Sequence, residues 1–426
     1  MKIDLKRLTP ADFFPGTVVV GFIFFMLGRY YPMDDFYRHM VAYLYSYNPS
    51  LNYPHSLVTT YSQYPGYEFL LSIFHKFLGA PATVLTLEGF SFALSYYLFY
   101  KILQNTYFGQ TKLVASQAAL IIMSALTSRI LALRPEYFVF LMVLCFFISK
   151  DIFKNKAWFL APLMTCFYWL APMWSFLIIV HPDKTKKKIL AVLIFFVFHL
   201  IFWEIYTQGD WIKSIMRWHE FSKNRVLDIT ELNNFWTASF LKPWFWILLY
   251  FVYEGRAELK KENYVSILTY SFIGYVRLTG AFIISVLPAI KAGIYKNYLL
   301  FTKNPWISHW ICICIFINAL PQNLDFVDYK FPKNSTILAS GISAYTLNAG
   351  ENAGNIKIVP SFEYGATPKE IQEQIKNLPT MKVDCVVLKK YNIDYVVENV
   401  ASNKAPQCLQ FLDSKGPWRI WKTIPN

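Results

Sequence analysis

Apolar residues fall into repeated runs along the chain, separated by short polar or basic stretches. Most runs approach the ~20 residues that a helix needs to cross about 30 Å of hydrocarbon, so the pattern predicts membrane helices. Eleven candidate spans can be placed, at residues 14–31, 82–100, 113–128, 136–149, 157–168, 170–180, 189–206, 243–255, 264–277, 279–294 and 305–320.

Two segments allow more than one interpretation. Residues 157–180 could form one span, but a hairpin turning at residues 168–172 keeps Lys154 and Lys186 on the same side of the membrane. Residues 64–79 are apolar with charged residues at intervals, which predicts a short interfacial helix.

Composition and charge agree with a membrane protein. Of 426 residues, 55% are hydrophobic, 19% aromatic and 16% charged. The net charge of +14 comes from basic clusters between apolar runs, such as residues 184–188. This distribution is typical of cytoplasmic loops and makes nucleic-acid binding the weaker interpretation. It places the N-terminus inside and the C-terminus outside.

The predicted topology divides the chain into a membrane domain, residues 1–330, and an outer α/β domain, residues 331–426. Residues 32–80 and 207–242 form the first and second outer loops of the membrane domain. In the outer domain, strands are predicted at residues 336–340, 355–359, 394–397 and 418–421, with a helix from Thr367 to about Leu378. Its two cysteines, Cys385 and Cys408, either pair in an oxidising compartment or are simply buried.

Adjacent carboxylates, Asp34 and Asp35, follow the first apolar run. Two like charges repel and are not needed to end a span, so the pair points to chemistry or to a cation. A solvated interfacial pair without a role is the alternative. The chain has no CxxC, HExxH, Walker or dinucleotide motif, which leaves the common soluble chemistries without support.

The order of these features resembles the GT-C superfold of membrane glycosyltransferases. The superfamily includes aminoarabinose transferases, oligosaccharyltransferases, protein mannosyltransferases and pilin glycosyltransferases. The acid pair is similar in position to its Asp-Asp, Asp-Glu or Glu-Asp motif. Residues 61–67 resemble the proline-containing stretch that follows in bacterial members, and residues 388–397 and 416–422 resemble their closing motif.

The resemblance implies an inverting-type transfer of a sugar from a polyprenyl-phosphate donor, such as undecaprenyl phosphate, to an extracytoplasmic protein or glycan. It also implies a bacterial inner-membrane protein with a periplasmic C-terminal domain. Asp34 is then the expected acceptor base. Asp35 would share that role or help hold Mg²⁺ or Mn²⁺. Some similar enzymes work without metal, so the ion stays open.

A donor phosphate calls for fixed cations. Arg277 lies between two apolar runs, where an arginine is costly unless it is paired or functional; snorkelling to the headgroups is its alternative. Glu136 is expected to pair with a nearby arginine in preference to reacting. The other candidate phosphate ligands are Arg129, Arg134, Arg217 and Arg225.

His39 lies one helical turn after Asp35, so it could face the same pocket or ligate the metal. An interfacial role is equally open for His39 and His55, and for the tyrosines a membrane-interface belt is favoured. The candidate substrate pocket comprises Arg38, His39, His55, Tyr61, Tyr64, Glu136 and His219.

Two other functions stay open. An O-antigen-type polymerase or ligase shares the donor and the compartment, and the loop 207–242 is compatible with it. A lipid or sugar transporter is also polytopic, but no internal repeat is evident in the sequence. The sugar and the acceptor are undetermined.

Overall fold

Helices dominate the computed structural model, and a small sheet forms near the C-terminal end. The structure describes residues 18–23, 26, 36–56, 62–104, 111–213, 216, 240–273, 279–320, 327, 329–340, 346–348, 350–359, 367–399 and 406–424. The prediction of a helical protein with a small C-terminal α/β domain is confirmed.

The chain divides into two compact units. Unit 1 comprises Met1–Arg29, Leu85–Phe202 and Leu227–Gln322. Unit 2 comprises Tyr30–Val84, Trp203–Val226 and Asn323–Asn426. The second unit therefore combines all of the predicted first outer loop, residues 32–80, with the C-terminal domain.

The α-helices in the described part of the chain are numbered in order. They are α1 (Phe36–Met40), α2 (Pro49–Asn52), α3 (Pro65–Leu103), α4 (Thr111–Ala132), α5 (Pro135–Phe146), α6 (Ala161–Phe167), α7 (Ala171–Ser175), α8 (Thr185–Tyr206), α9 (Pro243–Gly255), α10 (Lys261–Ile273), α11 (Thr279–Lys296), α12 (Leu299–Thr302), α13 (Pro305–Ala319), α14 (Lys369–Asn377) and α15 (Cys385–Lys390). Short 3₁₀ helices are Ala42–Tyr45, Lys156–Leu160, Phe176–Val180, Arg256–Glu258 and Leu378–Thr380.

These helices follow the predicted apolar runs closely. Helix α9 has the predicted bounds, and α5, α9 and α13 each begin at a proline, which suits a position whose N–H has no helical partner. The helical path breaks at Tyr168, which is extended, so residues 157–180 form two segments as the hairpin interpretation expects. Of the first predicted span, 14–31, only residues 18–23 and 26 lie within the described part, and they are helical.

Membrane-spanning character is supported only in part. Within the described residues, α3, α4 from Lys112 and α8 are long and apolar enough to cross a bilayer. Helix α5, the segment Ala171–Val180 and α13 are apolar but shorter. The 12 residues of α5 rise only about 18 Å, less than the hydrocarbon thickness. The eleven-span topology therefore stays a prediction.

Helix α3 contains a break at the boundary that the sequence predicts between an interfacial helix and a span. Gly79 has φ +75° and ψ 171°, two residues before Pro81. Before the break, Tyr67 and Leu71 are buried, whereas Phe69 and Phe77 are exposed. This arrangement leaves an apolar stripe on the outside of the segment, as expected of a helix lying at a membrane surface.

Unit 1 is held by close helix contacts and by polar groups at helix ends. The backbones of α9 and α11 approach so closely that a Cβ on Gly293 would lie 2.0 Å from the Phe251 carbonyl oxygen. At the end of α3, Lys291 Nζ donates to the carbonyl oxygens of Ile102 and Gln104, at 2.8 and 3.1 Å. A lysine at this position satisfies carbonyls that have no helical partner.

In unit 2, the C-terminal domain contains a five-stranded sheet of order β2-β1-β3-β5-β4. Strand β1 pairs in parallel with β2 and β3, and β5 pairs antiparallel with β3 and β4. The strands are β1 (Thr336–Ala339), β2 (Lys357–Val359), β3 (Tyr395–Glu398), β4 (Leu409–Lys415) and β5 (Trp418–Thr423). Four strands match the prediction, and β4 was not predicted.

The sheet separates two apolar cores. Helices α14 and α15 cover one face, where Leu338, Val396 and Trp421 are buried. On the other face, Ile337 and Tyr395 pack in a core that also includes Tyr53, from the predicted first outer loop. Cys385 and Cys408 form a disulfide with a Cα–Cα distance of 5.9 Å, which decides between the two possibilities that the sequence left open.

Candidate functional site

The acid pair lies outside the described residues, so its catalytic assignment stays a prediction. The same holds for several other candidates, namely Tyr61, Arg217, His219, Arg225 and Arg277. The described residues that follow the acid pair most closely in sequence form α1, in which all five residues are buried.

Helix α1 contributes two charged or polar residues to a buried cluster in unit 2. His39 is 0% exposed, Arg38 6% and Glu68 3%. Arg38 Nη2 donates to His39 Nε2 at 2.9 Å, and the Nδ1 atom of His39 is 2.8 Å from Glu68 Oε1. Arg38 Nη1 also lies 3.6 Å from the same carboxylate oxygen.

The hydrogen bonds of the cluster define the state of the His39 ring. A guanidinium has only donors, so Nε2 of His39 accepts from Arg38 and the ring proton is on Nδ1, from which it is donated to Glu68. Both ring nitrogens are therefore occupied. His39 could ligate a metal only after one of these bonds broke.

Aromatic rings surround the cluster. The rings of Tyr64 and Tyr67 make T-shaped contacts with the His39 ring, at centroid distances of 4.7 and 5.5 Å. Tyr64, a predicted pocket residue, thus lies beside another, His39, which in turn bonds Arg38. Three of the predicted pocket residues are brought together around Glu68, whose importance the sequence reasoning missed.

His55 lies in the same unit but has a different partner. Its Nε2 atom donates to the carbonyl oxygen of Tyr391 at 3.0 Å, at the end of α15. Burial lowers the pKa of His55; this hydrogen bond opposes the shift, and the charge of Lys357 adds to it. His55 thus ties the first loop to the C-terminal domain, and its role in a substrate pocket stays a prediction.

Two tyrosines strengthen the connection between the loop and the C-terminal domain. Tyr45 OH donates to the Ile356 carbonyl oxygen at 3.1 Å and accepts from the Gly354 N–H at 3.0 Å. Burial raises the pKa of Tyr45 to about 12, against the effect of these two hydrogen bonds, so the hydroxyl is neutral near pH 7. Asn348 Nδ2 donates to Tyr53 OH at 3.3 Å.

A second buried cluster lies in unit 1, at the turn from α4 to α5. Arg134 Nε is 3.3 Å and Arg129 Nη1 is 3.8 Å from Glu136 Oε1. These three residues are between 3% and 8% exposed. Glu136 therefore pairs with nearby arginines, as the sequence indicated. Guanidinium groups held in buried positions are suited to contact with an anion.

Sequence reasoning missed one more group, Glu88 in α3. Its side chain is 0% exposed, and neither carboxylate oxygen has a hydrogen-bond partner in the part of the chain that the structure describes. The signal was present in the sequence, since an acidic residue inside an apolar run is a candidate functional group by default.

Metal binding finds no further support in the described residues. They contain no group of three or more histidine, cysteine, aspartate or glutamate side chains placed to hold an ion. The proposed metal ligands Asp34 and Asp35 lie outside that part of the chain, so a site built on them stays a prediction.

Comparison with known proteins adds no family assignment. The chain matches no model of a known protein family, and no curated protein is similar enough to it to count as a match.

Proposed function

We propose that this chain is a GT-C-type membrane glycosyltransferase that moves a sugar from a polyprenyl-phosphate donor to an extracytoplasmic protein or glycan. The observation that carries the proposal is the buried Arg38–His39–Glu68 cluster, in which Arg38 and His39 lie three and four positions after Asp35. A cluster of this kind fixes the backbone next to Asp34 and Asp35, and a catalytic pair needs a rigid support.

The contacts of the first outer loop support a location of this loop and the C-terminal domain on the same side of the membrane. Tyr45, Tyr53 and His55 all bond to groups of that domain. Disulfides persist in oxidising compartments, so the Cys385–Cys408 bond supports an extracytoplasmic location for both. The proposed topology has about eleven spans in a bacterial inner membrane, with the N-terminus in the cytoplasm.

In this proposal Asp34 accepts the proton of the acceptor hydroxyl as the new glycosidic bond forms at the anomeric carbon. The polyprenyl phosphate leaves from the opposite face, which inverts the configuration. Asp35 assists Asp34 or helps to hold a divalent cation, Mg²⁺ or Mn²⁺, whose preference is for oxygen ligands. Because both nitrogens of His39 are engaged, such an ion would depend mainly on the carboxylates.

The leaving phosphate needs stabilisation in a partly dry environment, where fixed charges act strongly. Arg129 and Arg134 are the best supported candidates, because both are buried together at the turn from α4 to α5. Further phosphate ligands are proposed from sequence alone, namely Arg217, Arg225 and Arg277.

The decisive experiment reconstitutes the purified protein in liposomes with radiolabelled undecaprenyl-phosphate sugars and candidate acceptors. Mass spectrometry of surface glycans and pili, from cells with and without the protein, identifies the acceptor to use. We expect Asp34→Asn and Asp35→Asn each to abolish transfer while expression and membrane insertion are retained. Asp413→Asn, which changes an acid in strand β4, is the matched control and should transfer normally.

The outcomes separate the alternatives. Movement of labelled lipid or sugar across the bilayer without transfer would indicate a transporter. Joining of lipid-linked oligosaccharides, without use of monosaccharide donors, would indicate a polymerase or ligase. Normal transfer by both aspartate variants would disprove the site assignment.

A further inference from the structure

Glu88 and Ser91 are buried polar residues in the part of α3 that belongs to unit 1. Both side chains are 0% exposed. Neither oxygen of the Glu88 carboxylate nor the Ser91 hydroxyl has a hydrogen-bond partner among the residues that the structure describes. Residues three apart share one face of a helix, so the two groups lie side by side on α3.

Such groups are costly in a membrane helix. A buried polar group without a partner has lost its hydrogen bonds to water and gained none in return, and the cost is greater if the group is charged. A carboxylic acid in its neutral form can both donate and accept a hydrogen bond. A serine hydroxyl has the same capacity. The pair is therefore chemically suited to a ligand that carries hydroxyl groups.

Contacts further along α3 show where this face is directed. Ser95, one turn after Ser91, hydrogen-bonds the hydroxyl of Tyr137 in α5. Phe99, a further turn on, lies 6.3 Å from Phe140 between ring centroids. The later residue of α3, Phe99, contacts the later residue of α5, Phe140. The two helices therefore run in the same direction along these contacts.

The parallel course places Ser91 and Glu88 near the start of α5. Four residues before Ser95, Ser91 lies about 6 Å back along the axis, level with the turn that precedes α5. Glu88 lies about 5 Å further in the same direction. This turn carries Arg134 and Glu136, and Arg129 pairs with Glu136 from the end of α4.

We propose that Glu88 and Ser91 form a sugar-binding subsite beside the Arg129–Arg134–Glu136 cluster, and this inference rests on the proposed function. The two arginines bind the phosphate of a polyprenyl-phosphate sugar. Glu88 and Ser91 then accept from and donate to hydroxyl groups of the sugar on that phosphate. The ligand then supplies the hydrogen bonds that the described residues do not provide to these two groups.

The test compares the affinity of the purified full-length protein for two kinds of lipid. One is bare undecaprenyl phosphate, and the other is undecaprenyl phosphate carrying a hexose, taken from a panel of glucose, galactose and mannose. We expect Glu88→Leu to weaken binding of the preferred sugar-bearing lipid about tenfold, equivalent to about 1.4 kcal/mol. Binding of bare undecaprenyl phosphate should be unchanged, because the arginines are intact.

Two further variants sharpen the test. Glu88→Gln keeps a neutral group that donates and accepts, so it should bind the sugar-bearing lipid within about threefold of the wild type. Ser91→Ala removes a single oxygen and should also weaken binding of the sugar-bearing lipid. It provides the measurement if Glu88→Leu does not fold. Ser266→Ala is the matched control, because Ser266 is a buried serine whose partner is Ser285, in another part of unit 1.

Each result supports or overturns the subsite. A selective loss for the sugar-bearing lipid supports it. Equal losses for both lipids, or no loss in either Glu88→Leu or Ser91→Ala, overturn it while leaving the proposed function intact. If the wild-type protein binds neither lipid, the proposed function itself fails and the subsite with it.

Discussion

His39 Nδ1 and Glu68 Oε1 lie 2.8 Å apart although the residues are separated by 29 positions in sequence. Both are buried, and Arg38 contacts both. The bond joins α1 to the first turn of α3. It therefore connects the segment that follows the acid pair to a long helix, which makes Glu68 the group on which the local geometry depends.

Glu68→Ala is expected to lower stability and to abolish transfer. The change removes the carboxylate that bonds His39 and faces Arg38, and breaking a buried ion pair costs about 3 kcal/mol. Thermal unfolding in detergent measures the loss, and the liposome assay measures transfer. Glu373→Gln, at an exposed glutamate of α14, should change neither. Normal stability and normal transfer by the Glu68→Ala protein would show that the cluster does not fix the segment next to the acid pair.

Reduction of the disulfide is expected to destabilise the C-terminal domain. Cys385 and Cys408 are 23 positions apart in sequence. A disulfide that closes a loop of this size adds about 3 kcal/mol to the free energy of unfolding. Cys408→Ser should lower the unfolding temperature. A reductant, which lowers the unfolding temperature of the wild type, should then have no further effect on the variant. Cys314→Ser, at an exposed free cysteine, is the control and should retain the full response to reductant.

His55 should make unit 2 less stable in acid. Its folded-state pKa is lowered from 6.5, chiefly by burial, so the folded state favours the neutral ring. The unfolded chain then binds more protons, so the His55 contribution is complete above about pH 6.5 and is lost as the pH falls through the folded-state pKa. Unfolding temperatures at pH 7.5 and pH 5.5 should differ more for the wild type than for His55→Gln. Equal differences would contradict this assignment.

Gly293→Ala is expected to destabilise unit 1. The added Cβ would lie 2.0 Å from the carbonyl oxygen of Phe251, and a backbone atom cannot move aside without shifting a helix. Overpacking of this kind costs about 3 kcal/mol or more. Unfolding in detergent provides the measurement. Gly350→Ala meets nothing within 4 Å and serves as the control; an equal effect of both changes would exclude the close helix contact.

The sequence predicted the helices better than the contacts between them. Apolar runs set helix positions because period and length are local properties, and the predicted boundary between residues 64–79 and 82–100 coincides with the break at Gly79. Strand β4 was missed because its residues after Leu409 are largely exposed and do not alternate between apolar and polar. Its pairing is decided by β5 across the turn at Gly416, which has φ +56°.

The candidate site shows the same division. Sequence patterns pointed to Arg38, His39 and the pairing of Glu136, since these lie close to recognisable local features. The role of Glu68 depends on what α1 brings against it. That information is not local, so Glu68 could not be assigned before the structure. Glu88 was missed although the sequence carried a signal, an acidic residue inside an apolar run.

Cysteine labelling tests the orientation on which the proposed chemistry depends. Leu51 in α2 and Lys376 in α14 are both exposed and both belong to unit 2, and Lys154 is exposed in a predicted cytoplasmic loop. On a Cys314→Ser background, a membrane-impermeant maleimide added to spheroplasts should label Leu51→Cys and Lys376→Cys. Lys154→Cys should react only after permeabilisation. Labelling of Leu51→Cys and Lys376→Cys from opposite sides would contradict the loop-to-domain hydrogen bonds of Tyr45 and His55. Labelling of both only from the cytoplasm would keep those bonds but remove the acid pair from the side where an extracytoplasmic acceptor arrives.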